Sequence, residues 1–198
     1  MTSLDTAGGG RLAISRATDA RAVLLLGHGA GGGIEAGDLV ALARSLPELG
    51  ITVARFEQPW RVAGRRVAGP PATLDRAWLP ALSAVATLGL PMLVGGRSAG
   101  ARVACRCFTP PALGVVCLSF PLHPPGRPEK SRSSELAGVG APTLVVQGER
   151  DPFGTPDEVR AAVPGVRVVG VPGTHTLKES GFSDLVAHVA GFVLEVVA

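Results

Sequence analysis

Lysine is scarce in this chain of 198 residues: Lys130 and Lys178 are the two present, and arginine makes up the rest of its 19 basic side chains, a bias that reads as coding preference. The formal net charge is only +3. No basic run is interleaved with aromatic residues, so the electrostatic footprint of a nucleic-acid-binding protein is missing. Cysteine is scarce as well. Cys105, Cys107 and Cys117 are odd in number, lie in apolar settings and lack metal-ligand spacing. That excludes a disulfide framework and a zinc site, and it leaves reduced core thiols. Neither metal nor cofactor is expected. No apolar run is long enough to span a bilayer, and the opening Met1-Thr2-Ser3-Leu4-Asp5-Thr6 has neither a charged segment nor an apolar one. The expectation is a cytoplasmic protein without membrane contact, a monomer or a homodimer.

Charged residues make up 18% of the chain against 46% apolar ones. The apolar residues come in strand-length runs, at Leu12–Ser15, Ala22–Leu26, Thr52–Phe56, Met92–Val94, Gly114–Ser119, Thr143–Val146 and Val166–Val171. Continuous rather than alternating runs mark strands buried on both faces. Helical patterns lie between most of them: Leu39, Leu42, Ala43, Leu46 and Leu49 in one, Phe182, Val186, Val189, Val193 and Val196 in another. A third, near Thr73–Leu88, contains Pro80, which predicts a kink or a second helical segment. The expected class is therefore α/β, one domain over residues 1–198, with a mostly parallel sheet of about seven strands and helices on both faces. Loops that leave the carboxyl ends of such strands line the ligand site, which directs attention to Gly27–Gly33, Ala63–Pro71 and Pro121–Pro128.

One pentapeptide carries chemistry. Gly96-Arg97-Ser98-Ala99-Gly100 follows the apolar run 91–95 and precedes the small-residue stretch Ala101–Cys105, so Ser98 falls on a strand-to-helix corner. With 27 glycines in the chain, the pentapeptide alone is weak evidence. A serine hydroxyl is a poor nucleophile near neutral pH and needs an imidazole to take its proton and a carboxylate to orient that imidazole. Asp151, in the loop after the strand Thr143–Val146, is the expected carboxylate. Glu149 competes with it, and Asp157 reads as a residue of the next helix's first turn. His175, in the turn Pro172-Gly173-Thr174-His175-Thr176-Leu177, is the expected base, because among the four histidines it alone follows Asp151 and precedes a terminal helix. His188 falls within the last helix, His28 precedes the glycine loop, and His123 lies in a proline-rich loop.

Acyl transfer also needs hydrogen-bond donors aimed at the oxygen that turns negative. The loop Gly27-His28-Gly29-Ala30-Gly31-Gly32-Gly33 offers the N–H of Ala30, or of Gly31, beside that of Ala99. It lacks the endings of the phosphate-cradling loops, which argues against nucleotide binding. His28, Trp60, Arg97, Phe120, Leu122 and His123 are the candidate substrate-binding residues, for a small-molecule acyl substrate. Arginines near the loops, Arg61, Arg65, Arg66, Arg97 and Arg127, read first as solvated surface charge.

These segments, together with Phe120-Pro121-Leu122-His123-Pro124-Pro125-Gly126-Arg127-Pro128-Glu129-Lys130 and Gly148-Glu149-Arg150-Asp151-Pro152-Phe153-Gly154, resemble the compact, lidless α/β-hydrolases described as dienelactone-hydrolase-like. More closely they resemble bacterial relatives of the hydrolase-like domain in a subunit of a histone-acetyltransferase complex. The resemblance implies an α/β-hydrolase fold without a cap domain and Ser98, Asp151 and His175 as a triad. A dienelactone hydrolase proper is expected to carry cysteine where this chain has Ser98, so that substrate is not carried over. Two functions are expected to compete: a serine hydrolase of the carboxylesterase kind, acting on an ester, thioester or amide through an acyl-enzyme, and a catalytically silent interaction module.

Overall fold

Strands without polar alternation need apolar cover on both sides, and the computed structural model, which describes residues 2–198, supplies it. Eight strands make one sheet: β1 (Thr2–Asp5), β2 (Arg11–Ser15), β3 (Ala22–Gly27), β4 (Ile51–Glu57), β5 (Met92–Arg97), β6 (Ala112–Leu118), β7 (Thr143–Gly148) and β8 (Arg167–Val171). Their order is β1-β2-β4-β3-β5-β6-β7-β8. β2 runs antiparallel to β1 and β4, and every later pairing is parallel. The strand absent from the apolar pattern is β1. All four of its residues are exposed, so backbone pairing to β2 rather than burial makes it a strand.

Successive side chains of the inner strands feed two separate cores. On one face lie Val23 and Leu25 of β3, Ala54 and Phe56 of β4, Met92 and Val94 of β5, and Val115 and Cys117 of β6. The alternate residues Leu24, Leu26, Ile51, Val53, Leu93, Val116 and Leu118 fill the other. The first core is covered by α3 (Pro71–Ala86), α4 (Ala99–Arg106), α5 (Ser133–Ala137) and α6 (Pro156–Ala162), with Trp78 of α3 fully buried edge-on to Phe56 at 5.9 Å. The second is covered by α1 (Gly37–Ser45) and α7 (Phe182–Val196), through Leu39, Leu42, Leu185, Val189 and Val193. A short helix, α2 (Pro59–Val62), follows β4. Pro80 does not begin a second segment, because α3 continues through it to Ala86. The ring removes one backbone donor, that to the carbonyl four residues earlier, while Ala77, Trp78, Ala81 and Leu82 around it stay packed on the core.

Cys105 and Cys117 are buried with their sulfurs 3.6 Å apart. Burial pushes the Cys107 thiol up to about 11. Among the described residues no helix is long and apolar enough to cross a membrane.

β3 is the point where the chain order reverses: β4 lies on one side of it and β5 on the other. Such a reversal opens a crevice at the carboxyl edge. Here it brings the loop after β3 against the turn after β5, and the backbones approach closely. A Cβ on Gly96 would sit 2.5 Å from the Gly27 carbonyl oxygen, and one on Gly100 would collide with the same carbonyl. Gly100→Ala is therefore expected to cost about 1–3 kcal/mol in urea denaturation. Gly31→Ala, with no atom within 4 Å of the added methyl, should change stability by less than about 0.5 kcal/mol.

Candidate active site

β5 ends at Arg97 and α4 begins at Ala99, which leaves Ser98 alone to turn the chain. It does so at φ 53° and ψ −111°, a conformation that an L-residue adopts only when its surroundings hold it there. The Ser98 N–H donates to the Leu118 carbonyl of β6 at 2.9 Å, and α4 packs its glycine on β3. The hydroxyl is thereby raised above the carboxyl edge of the sheet.

Two further loops meet it. After β7 the chain turns so that Asp151 is 2% exposed. One carboxylate oxygen, Oδ1, accepts from the Phe153 N–H at 2.9 Å, and Oδ2 accepts from the Gln147 side-chain amide at 3.0 Å. After β8 comes the turn closed by the bridge between Gly173 and Leu177, and it delivers His175. His175 Nδ1 lies 2.9 Å from Asp151 Oδ2, and Nε2 lies 2.8 Å from Ser98 Oγ. A carboxylate only accepts, so the ring proton sits on Nδ1 and Nε2 is left to accept from the serine. The Phe153 ring covers the imidazole, centroid to centroid 4.2 Å with a 35° tilt.

The competing carboxylates and imidazoles lie elsewhere. Glu149 is exposed beside Gly170 of β8. Asp157 sits in the first turn of α6, paired with Arg160 at 2.6 Å. His188 is exposed on α7.

Ser98 and His175 open onto a cleft of about 950 Å³ whose wall includes Ala30, Gly31, Arg97, Phe153 and Phe182. A second cleft of about 490 Å³ also borders Ala30 and Gly31, and it continues past Ala99 to Ala68, Pro71 and Leu74. Ala99 is the first residue of α4, where backbone N–H groups lack intrahelical partners. The expected donors Ala30 and Gly31 thus stand where the two clefts join, with Ala99 on the wall of the second.

The expected substrate pocket is different from what the sequence suggests. Trp60, Phe120, Leu122 and His123 are at most 9% exposed and belong to the core or its margin rather than to the wall of either cleft. His123 Nδ1 donates to the Pro124 carbonyl at 3.0 Å, its other nitrogen having Glu158 at 3.6 Å. His28, 3% exposed, is a loop-shaping residue: Nε2 accepts from the Gln58 N–H at 3.1 Å, and Nδ1 donates to the Gly29 carbonyl at 2.8 Å. Of the six candidates, Arg97 alone faces the larger cleft. Its guanidinium is engaged by the protein itself, with Nε 3.0 Å from Asp38 Oδ2 and Nη2 donating to the His175 carbonyl at 3.0 Å.

Three contributors escape a reading of the sequence alone. Phe153 and Asp38 carry no motif. Gln147 does leave a trace, as the one amide in the otherwise apolar run Leu144-Val145-Val146-Gln147-Gly148, and it is fully buried.

A model of the family described as alpha/beta hydrolase domain matches residues 20–188. The chain belongs to that family. Its fold is similar to an alpha-beta serine hydrolase homologue from Coxiella burnetii, with a TM-score of 0.74, 18% identity, and coverage of 100% of this chain and 96% of that one. It is similar to Est1E from Butyrivibrio proteoclasticus, with a TM-score of 0.77, 15% identity, and coverage of 99% and 98%. A serine hydrolase without a lid from Xanthomonas campestris gives a TM-score of 0.68, 21% identity, and coverage of 99% and 92%. At these identities the likeness concerns the fold, a lidless alpha/beta hydrolase.

Burial lowers the pKa of His28 from its ordinary 6.5. A proton added at Nε2 would also face the Gln58 N–H. The unfolded chain therefore binds this proton more readily, so stability is full above the unfolded pKa of about 6.5 and is lost as pH falls from there toward the lower folded value. Denaturant midpoints measured at neutral and mildly acidic pH should fall with acid more steeply in the native chain than in His28→Gln.

Proposed function

We propose that the chain is a serine hydrolase of the carboxylesterase kind, cleaving an ester, thioester or amide of modest size. The observation that carries this reading is the continuous hydrogen-bonded line from Ser98 Oγ through the His175 imidazole to Asp151. Ser98 Oγ attacks the carbonyl carbon while His175 Nε2 takes the hydroxyl proton, and Asp151 orients the ring and stabilises the imidazolium. The carbonyl oxygen becomes negative facing the N–H of Ala99 and that of Ala30 or Gly31. Collapse breaks the bond to the leaving group, which receives the proton from Nε2. Water then attacks the acyl-enzyme by the same route, its proton passing to Nε2 and on to Ser98 Oγ.

The proton path also orients the substrate. A leaving group must lie within reach of His175 Nε2, which assigns it to the larger cleft under Phe153 and Phe182. The acyl group then extends the other way, past the oxyanion donors, into the cleft of Ala68, Pro71 and Leu74.

The second reading, an interaction module of the kind suggested by the resemblance to the histone-acetyltransferase-complex subunit, fits less well. A silent fold has no need for a strained serine, and none for an imidazole held between that serine and a buried carboxylate.

A fluorophosphonate probe is expected to label the folded protein, with the label lost in Ser98→Ala; an unlabelled wild type across neutral and mildly alkaline pH would overturn the reading. Asp151→Asn should lower kcat on p-nitrophenyl acetate by about 10⁴-fold. The substrate orientation has its own check. Ala68→Phe should reduce the octanoate-to-acetate ratio of kcat/KM for p-nitrophenyl esters by about tenfold, whereas an unchanged ratio would move the acyl group elsewhere.

A further inference from the structure

We propose that Arg97 and Asp38 are positioning residues for the base: an ion-paired clamp that ties the His175 turn to the strand carrying the nucleophile. The inference rests on the hydrolase reading above and concerns how its geometry is kept.

His175 comes from a six-residue turn whose own hydrogen bonds are local. Thr174 N–H donates to the Thr176 carbonyl at 3.2 Å, and Lys178 N–H donates to the Pro172 carbonyl at 3.0 Å. Bonds of that range set the shape of the turn but move with it. Its placement comes from longer ties. On the side of the carboxylate, Arg150 N–H donates to the Gly173 carbonyl at 3.1 Å. On the side of the nucleophile the tie is Arg97, the residue before Ser98, whose Nη2 donates to the His175 carbonyl at 3.0 Å and to Thr176 Oγ1 at 3.2 Å. The turn is thus held from both neighbours it must align with.

Arg97 is in turn held by Asp38, in the first turn of α1, with Nε 3.0 Å from Oδ2. The side chains are 15% and 3% exposed. Asp38 Oδ1 also accepts from the Leu39 N–H at 2.8 Å. Burial pushes the Asp38 carboxyl up, against the opposing charge of Arg97. A buried ion pair of this sort gives little net stability compared with apolar packing, so stability alone does not explain it beside Ser98. Geometry does. One planar guanidinium addresses the Asp38 carboxylate on α1 and, on the His175 turn, a carbonyl and a hydroxyl at once, which a lysine ammonium on a flexible stem cannot reproduce in fixed directions.

Misplacing a reacting group by about 1 Å costs on the order of 100-fold in rate. The test is steady-state kinetics on p-nitrophenyl acetate and butyrate, with thermal melting alongside. The double variant Arg97→Gln with Asp38→Asn keeps both sites polar and leaves no unpaired buried charge. It is expected to fold, with kcat lowered about 10- to 100-fold on both esters and KM nearly unchanged. A rise in KM at constant kcat would make Arg97 a substrate contact and overturn the clamp, as would wild-type kcat in the folded double variant. If the double variant fails to fold, Arg97→Lys decides: lowered kcat at unchanged melting temperature supports the clamp, and wild-type kcat overturns it. Failure of the hydrolase reading looks different, since the wild type would then neither turn over an ester nor take the fluorophosphonate label.

Discussion

The site depends on one close approach, that of the Gly27 carbonyl at the end of β3 to the backbone on either side of Ser98. Gly96 and Gly100 have no room for a side chain because β3 and α4 are pressed together there. That contact makes the chain reverse direction within a single residue, and the positive φ of Ser98 follows from it. Strain at a functional residue persists only where the neighbouring structure over-determines it. Here the determinants are the parallel pairing of β5 with β3 and β6, the bond from the Ser98 N–H to Leu118, and the start of α4. The same approach brings the glycine loop after β3 beside Ala99, so the elbow and the proposed oxyanion donors have one structural origin.

The remaining parts arrive through the sheet. β7 and β8 are parallel neighbours in register from Leu144 with Arg167 to Gly148 with Val171. Their loops therefore leave the same edge side by side, and Asp151 and His175 meet although 24 residues separate them in the chain. β6 stands between β5 and β7 in that order, which sets the imidazole at bonding distance from Ser98 on its other nitrogen. Gln147 secures the far end. Its amide bonds not only Asp151 but also the carbonyls of Phe120 at 3.1 Å and Gly154 at 2.7 Å, joining the ends of β6 and β7 behind the carboxylate.

What could be read from the residues was whatever is local. Runs such as Ala22–Leu26 and Thr143–Val146 announce strands because burial on two faces removes polar alternation, and Ser98 announces its corner through two flanking glycines. The positions of Asp151 and His175 follow from each lying just past a strand. β1 stayed invisible because its pairing is a backbone matter and its side chains are exposed. The substrate-binding residues were the least legible. Trp60, Phe120 and Leu122 follow strands and suggested a pocket, but whether an aromatic after a strand faces a cleft or plugs the core is decided by helices far away in sequence. Arg97 does face the larger cleft, but its partners Asp38 and Thr176 lie on other elements, so the engagement of its guanidinium by the protein itself has no local signal.

The open edge has a chemical consequence within the proposed mechanism. Only irregular chain, a single 3-10 turn at Pro128–Lys130 and the short helix α5 lie between β6 and β7, and the two clefts meet at Ala30 and Gly31. An acyl-enzyme on Ser98 would therefore stand exposed to water, which favours hydrolysis over transfer to a second acceptor. The same exposure weakens electrostatic stabilisation of the oxyanion, because water screens the donors. A lidless site has to recover that loss through the alignment of its fixed groups. In the proposed mechanism, tethering of the imidazole by Asp151 on the ring and by Arg97 and Arg150 on its turn is the form this recovery takes, and it accounts for the polar contacts that gather around one histidine.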